Sequence, residues 1–280
     1  MDIVDAHHHV WDLSVRDQDW ITGEAMAPLR RDFALDDLAP EARAAGVGKS
    51  VLVQTVTVAE ETPEFLALAA ESDLVGAVVG WTDLTRPDVG DVLAALCLLP
   101  GGQFLAGIRH QVQSEPDPHW LERPEARRGL AAVAQAGLVY DLVIRADQLP
   151  AATEAASALP ELTFVLDHLG KPPIASGELE PWASAVRELA KRPNTVCKLS
   201  GMVAEAVWDR WTVDDLRPYA DTVIEAFGPD RIMYGSDWPV CLLAATYSQV
   251  LDAAQDLTSQ LTKAEQSAIY SGTATRVYAL

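Results

Sequence analysis

Cysteine, basic residues and long apolar runs are all scarce in this chain, and each scarcity excludes something. Three cysteines in 280 residues, Cys97, Cys197 and Cys241, are odd in number and widely spaced. That pattern supports no disulfide framework and no zinc cluster, and it predicts reduced, buried thiols. Only 21 Lys+Arg stand against 41 Asp+Glu, for a net charge of −20. A chain so acidic is poorly suited to neutralising phosphates or to adsorbing on anionic lipid, so nucleic acid and membrane are not expected partners. The longest uncharged stretch, Val92 to Ile108, is broken by Pro100-Gly101-Gly102 and does not read as a spanning helix. The first residues, Met1-Asp2-Ile3-Val4-Asp5, are acidic and carry neither a basic segment nor an apolar core of the secretory type, so a cytoplasmic location is expected. A Gly-x-Gly-x-x-Gly motif is also missing after the first apolar run, which counts against the doubly wound, nucleotide-binding alternative.

What is present is a regular alternation. Short β-branched runs at 3–10, 50–55, 75–81, 105–112, 139–145, 163–168, 195–199 and 231–235 predict eight strands. Helical segments lie between them. One begins at Pro124 and ends near Gly137, with proline in the first turn and glycine at the C-terminal cap. Another spans Thr212 to Gly228, with Thr212 and Asp215 spaced as a capping box and Leu216, Tyr219, Val223 and Phe227 on one face. Alternating strands and helices call for parallel pairing with right-handed crossovers. Eight such units in 280 residues, with no linker dividing them, predict an α/β fold built as a single-domain (β/α)8 TIM barrel over residues 1–280.

Chemistry in such a barrel sits at the C-terminal ends of the strands. The first strand ends in Asp5-Ala6-His7-His8-His9, where period-two alternation puts His7 and His9 on one side, about 7 Å apart along the strand, and His8 on the other. The sixth ends in Asp167-His168-Leu169-Gly170-Lys171-Pro172, which brings His168 to the same rim. Alternation turns Asp167 the opposite way, as a structural partner of a neighbouring helix or loop. The eighth ends in Tyr234-Gly235-Ser236-Asp237-Trp238-Pro239, adding the carboxylate of Asp237. His8 and His119 read as structural.

These segments, with Gly107-Ile108-Arg109-His110-Gln111 and Lys198-Leu199-Ser200-Gly201, resemble the amidohydrolase superfamily, and within it the amidohydrolase-2 branch of sugar-lactone and pyrone-dicarboxylate lactonases. The resemblance runs in order from Asp2 to about Val240. It implies a (β/α)8 fold with His7, His9, His168 and Asp237 in the active site. One departure stands out. Binuclear members carry a bridging lysine or acid on strand four and a metal-binding histidine on strand five, whereas this chain offers Arg109 and His110, then Tyr140, Asp141 and Arg145. A binuclear centre is therefore not expected. The site is expected either to need no metal or to hold one divalent ion, zinc or manganese, on His7, His9, His168 and Asp237.

The expected reaction is hydrolysis of a neutral aldonolactone of the fuconolactone, rhamnonolactone or galactonolactone type. Asp237 would activate water, the three histidines would hold the carbonyl oxygen directly or through one ion, and Arg109 or His110 would orient the lactone. Alternation leaves open which of those two faces the barrel. The loops 11–33 and 201–212 carry Trp20 and Trp208, and with Trp81, Trp238 and Arg145 these complete the candidate substrate contacts, the tryptophans serving equally well as packing. A metal-dependent decarboxylase of aromatic or muconate-type acids is the alternative activity, and a non-catalytic sugar-binding barrel a third. The expected partners are a small-molecule lactone and further copies of the chain in a homo-oligomer.

Overall fold

The computed structural model describes residues 2–280. Its eight strands are β1 (Ile3–His8), β2 (Val47–Val53), β3 (Val75–Gly80), β4 (Leu105–His110), β5 (Val139–Leu142), β6 (Phe164–Leu166), β7 (Thr195–Leu199) and β8 (Ile232–Tyr234). They pair in sequence order in one parallel sheet. The seam between first and last strands is closed just beyond β8, where Asp237 N–H donates to His7 O at 2.8 Å and His9 N–H donates to Trp238 O at 2.7 Å. The result is a (β/α)8 barrel, as the alternation predicted. The observed strands stop short of several expected ends, because the residues there leave the ladder to build loops.

Two apolar layers hold it together. Val4, Ala6, Val51, Val53, Val79, Val165, Val196 and Met233 fill the barrel interior with Ala274 and Tyr278. The opposite faces of the same strands, including Ile108, Tyr140, Phe164, Leu199 and Tyr234, pack against the surrounding helices. The expected helices form as α4 (Pro124–Gln135) and α8 (Val213–Phe227), the latter with the Thr212/Asp215 capping box. Among the described residues no helix is long and apolar enough to cross a membrane. One expectation fails: Cys197 and Cys241 are buried, but Cys97, at the last turn of α3 (Val89–Cys97), is exposed, because its side of that helix has no layer above it.

Two backbone irregularities decide what points inward. In β1 the register slips between Asp5 and His8, three residues there matching two between Ser50 and Leu52. Such a bulge re-aims a side chain. Ala6 and His7 consequently both face the interior, while Asp5 turns out to accept from Ser236 N, Ser236 Oγ and Tyr247 Oη at 2.6–3.0 Å. After β6 the chain turns left-handed, with φ of 53° at His168, 56° at Leu169, 72° at Gly170 and 53° at Lys171. Only Gly170 adopts this region without a Cβ penalty, which costs about 1–2 kcal/mol at each of the other three.

Candidate active site

The residues after the strands line a cavity of about 200 Å3 at the C-terminal end of the barrel. His9, Thr55, Arg109, Gln111, Val143, His168, Gly201 and Asp237 come from strand ends, and Trp20, Met26, Ala204, Trp208, Val240 and Leu243 from the loops above. At its floor Asp237 Oδ1 lies 3.8 Å from His7 Nε2, 3.7 Å from His9 Nε2 and 3.8 Å from His168 Nε2. All four residues are buried.

The imidazoles are held from behind. His9 Nδ1 is 2.7 Å from Val53 O, which can only accept, so Nδ1 carries the proton and Nε2 presents a lone pair to the cavity. His168 Nδ1 is 2.9 Å from Ser200 Oγ. His7 Nδ1 sits between Lys198 Nζ at 3.1 Å and Asp167 Oδ1 at 3.4 Å. Glycines make room for this packing: a Cβ on Gly201 would meet His168 Nδ1 at 2.6 Å, and one on Gly235 would meet His7 Cβ at 2.8 Å.

Burial dominates the protonation states. It holds His7 and His9 well below their ordinary range and pushes His168 down to about 3, so all three are neutral at physiological pH. It pushes Asp237 up to about 8, against the opposing charges of Lys171 and Arg109. A buried carboxyl ringed by neutral imidazoles lacks a compensating positive charge.

Those features allow a test of whether the residues suit a divalent ion. Ligand atoms of His7, His168 and Asp237 all lie within 4.8 Å of one another, and His9 Nε2 comes within 3.1 Å of His7 Nε2. Tetrahedral ligands at about 2.0–2.1 Å from zinc stand about 3.4 Å apart, and the observed separations bracket that value. His7 Nε2, His9 Nε2 and Asp237 Oδ1 converge to within 3.8 Å of one another, the mutual approach that ligands of one cation require. Each ring nitrogen pointing away from the cavity has an outer partner, as metal-ligating histidines require. The donor set fits.

Beneath the floor lies a charge lattice that the sequence reading did not assign. Lys198 is fully buried, pairs with Asp141, and stands 3.0 Å from Asp167 Oδ1. Tyr278 Oη donates to both Asp141 oxygens at 2.9 and 3.0 Å. Arg109 Nη1 donates to Asp167 Oδ2 at 3.0 Å. Burial would raise Asp167, but Lys198, then His7 and Arg109, outweigh it and hold its carboxyl well below the usual range. Asp141 is pushed up to about 6, by burial first, with Lys198 opposing. Asp167 therefore faces the barrel interior, contrary to the outward direction expected for it. Period two from the inward-facing Val165 leads to Asp167; alternation breaks one residue later, where the left-handed turn at His168 re-aims the imidazole to the same side.

The structure also separates the remaining candidates. Arg109, not His110, faces the cavity, because it shares the inward face of β4 with Gly107. His110 points outward: it accepts from Trp81 Nε1 at 3.0 Å, donates from Nε2 to Glu115 at 2.8 Å, and stacks on Trp120 at 4.4 Å. Neither His110 nor Trp81 lines the cavity, which corrects both expectations. Arg145 is likewise outside it, bound to Asp147 and the Gln113 carbonyl. Trp238 is buried edge-on against Phe33 at 5.3 Å and serves as packing. Trp20 and Trp208 do line the cavity, joined by Gln111, Gln113, Lys171 and Glu205, which were not singled out. His8 binds Ser50 Oγ at 2.9 Å on the outer face, and His119 is exposed beside Glu122.

Known proteins share this arrangement to different degrees. An amidohydrolase family model matches residues 4–280. An L-fucono-1,5-lactonase of Burkholderia multivorans is 40% identical over 99% of this chain and 96% of its own. Another L-fucono-1,5-lactonase, of Burkholderia ambifaria, is 37% identical over 87% of this chain and 82% of its own. The crystal structure of an amidohydrolase from Burkholderia multivorans with bound zinc superimposes with a TM-score of 0.93 at 39% identity, covering 100% of both chains.

Proposed function

On the premise that this chain belongs to the amidohydrolase family, we propose that it hydrolyses a neutral sugar lactone, of the fuconolactone, rhamnonolactone or galactonolactone type, to the aldonic acid. The observation that carries the reading is the meeting of Asp237 Oδ1 with three imidazole Nε2 atoms at 3.7–3.8 Å on the floor of a monosaccharide-sized cavity. The lactonases that share 37–40% of its sequence support the substrate class.

In this reading the ionised form of Asp237 removes a proton from the attacking water and returns it to the ring oxygen as that oxygen leaves. His168 and His9 border the reacting carbonyl, and Arg109 directs its one uncommitted N–H to it. Three of its other N–H groups are engaged by Gln54 and Asp167, and the fourth stands beside His7 Nε2, with Nη1 at 3.3 Å. Trp20 and Trp208 cover the apolar faces of the sugar, and Thr55, Gln111 and Gln113 meet its hydroxyls. We infer that His7, His9, His168 and Asp237 hold a single divalent ion, zinc or manganese, which when bound supplies Lewis-acid polarisation of the carbonyl. His9 favours this over direct donation, because its inward nitrogen is a lone pair. For the decarboxylase alternative the cavity offers no free guanidinium clamp for a substrate carboxylate.

The test is acid release, followed with a pH indicator, across a panel of aldonolactones with and without chelator, beside carbon dioxide release from aromatic acids. Acid release from at least one aldonolactone is expected. Its absence from all of them would overturn the reading, and carbon dioxide release would replace it.

A further inference from the structure

Two cations other than histidine line the cavity among the described residues, Arg109 and Lys171, and neither faces it unopposed. Arg109 is buried, bonded to Asp167 Oδ2 at 3.0 Å and to the side-chain and backbone carbonyl oxygens of Gln54. It is fixed in the wall, its charge matched by a carboxylate behind it. Lys171 is different. It ends the left-handed turn after β6, its side chain is 29% exposed, and it lies on the cavity rim. There its Nζ lies 3.6 Å from Glu205 Oε1, on the short helix α7 (Met202–Glu205) after β7. Glu205 is the sole carboxylate within 4.0 Å of Lys171 Nζ among the described residues, and both side chains line the cavity.

We propose that Glu205 is a specificity-determining residue: by pairing with Lys171 on the cavity rim it leaves no uncommitted cationic side chain there and so excludes lactones that carry a second carboxylate. The proposal rests on the lactonase reading and narrows it. The physical argument is one of net field. A neutral polyhydroxy lactone loses nothing from a matched pair, since hydroxyls can donate to Glu205 and accept from Lys171. An anionic lactone must instead leave water for a cavity rim where the Glu205 carboxylate repels it and the cationic side chains, Arg109 and Lys171, are already matched. Removing the Glu205 charge frees Lys171, a flexible point-charge donor suited to a carboxylate. As the pair is partly exposed, the effect must weaken as salt rises.

The experiment compares kcat/KM for L-fuconolactone and for a glucarolactone bearing a free carboxylate, in the wild type, Glu205→Gln, Lys171→Met and the double variant, with thermal unfolding reporting the fold of each. The ratio of anionic to neutral kcat/KM is expected to rise at least tenfold in Glu205→Gln and to return to the wild-type ratio in the double variant. A folded Glu205→Gln whose ratio stays within twofold of wild type would overturn the proposal, as would a rise that persists without Lys171. Calorimetric binding of glucarate, which has no bond to hydrolyse, separates this from the reaction itself. Tighter glucarate binding by Glu205→Gln supports the charge pair even if no lactone were turned over, an outcome that would refute only the lactonase reading. Equal glucarate affinity, with lactones hydrolysed normally, would refute only the role of Glu205.

Discussion

Replacing Lys198 with methionine is the sharpest probe of the lattice beneath the site. Lys198, Asp141 and Asp167 are each fully buried, so none can recruit bulk water when a partner is lost. Without the ammonium, Asp167 keeps Arg109 Nη1 at 3.0 Å and His7 Nδ1 at 3.4 Å, whereas Asp141 keeps only the hydroxyl of Tyr278. Stranding one member of a buried pair costs about 3–5 kcal/mol. In a domain of this size that corresponds to roughly 6–20 °C in Tm. Adding Asp141→Asn removes the stranded charge while preserving an oxygen to accept from Tyr278. The double variant should therefore recover at least about 1.5 kcal/mol of the loss, since neighbours in one network do not add. Urea unfolding followed by tryptophan fluorescence measures both quantities. A single-variant loss below about 1 kcal/mol, or a double-variant loss equal to the sum of the two single losses, would refute the reasoning.

Other changes separate chemistry from architecture. Asp237→Asn should lower turnover by about 10²–10⁴-fold, the usual worth of a general base. It should also raise stability at pH 8. The folded-state value of Asp237, near 8, exceeds its unfolded value of 3.8, so its protonated form stabilises the fold at low pH and that contribution is lost as pH rises towards 8. Unfolding of chelated wild type and variant between pH 4 and 9 checks the sign, and parallel curves would contradict it. Gly201→Ala places a Cβ 2.6 Å from His168 Nδ1 in a residue at φ +67°, and should cut zinc uptake and turnover together by more than tenfold, read by metal analysis and lactone assay. His110→Leu should leave kcat/KM within threefold of wild type but cost about 1–3 kcal/mol in urea unfolding, because Trp81 Nε1 and Glu115 lose their partner.

The barrel was legible because it is written in local chemistry. The β-branched runs recur eight times with helical segments between them, and the rule that function gathers at C-terminal strand ends then singled out His7, His9, His168 and Asp237. What escaped was set by backbone departures from regular strand. Asp167 was turned outward because alternation was counted back from an inward His168 as if the strand continued, and nothing in Asp167-His168-Leu169 announces three residues of left-handed turn, Gly170 apart. Arg109 and His110 could not be ordered, since neighbours on a strand face opposite ways and only register says which is inside. Lys198 was readable in principle: it shares the inward face of β7 with Val196. A lysine among apolar strand residues is a signal in itself, because burial demands a counter-ion. The tryptophans divided according to loop packing, which no local pattern encodes.

Tyr278 belongs to the final helix, α11 (Thr273–Tyr278), yet its hydroxyl completes the coordination of an aspartate on the fifth strand. During synthesis Asp141 leaves the ribosome well over a hundred residues ahead of that hydroxyl, and Lys198 follows midway. The barrel's polar interior therefore joins residues made far apart in time, and the donor from Tyr278 follows the carboxylate it serves by well over a hundred residues. A nascent chain halted before Tyr278 can form every strand and still leave a buried carboxylate without that donor.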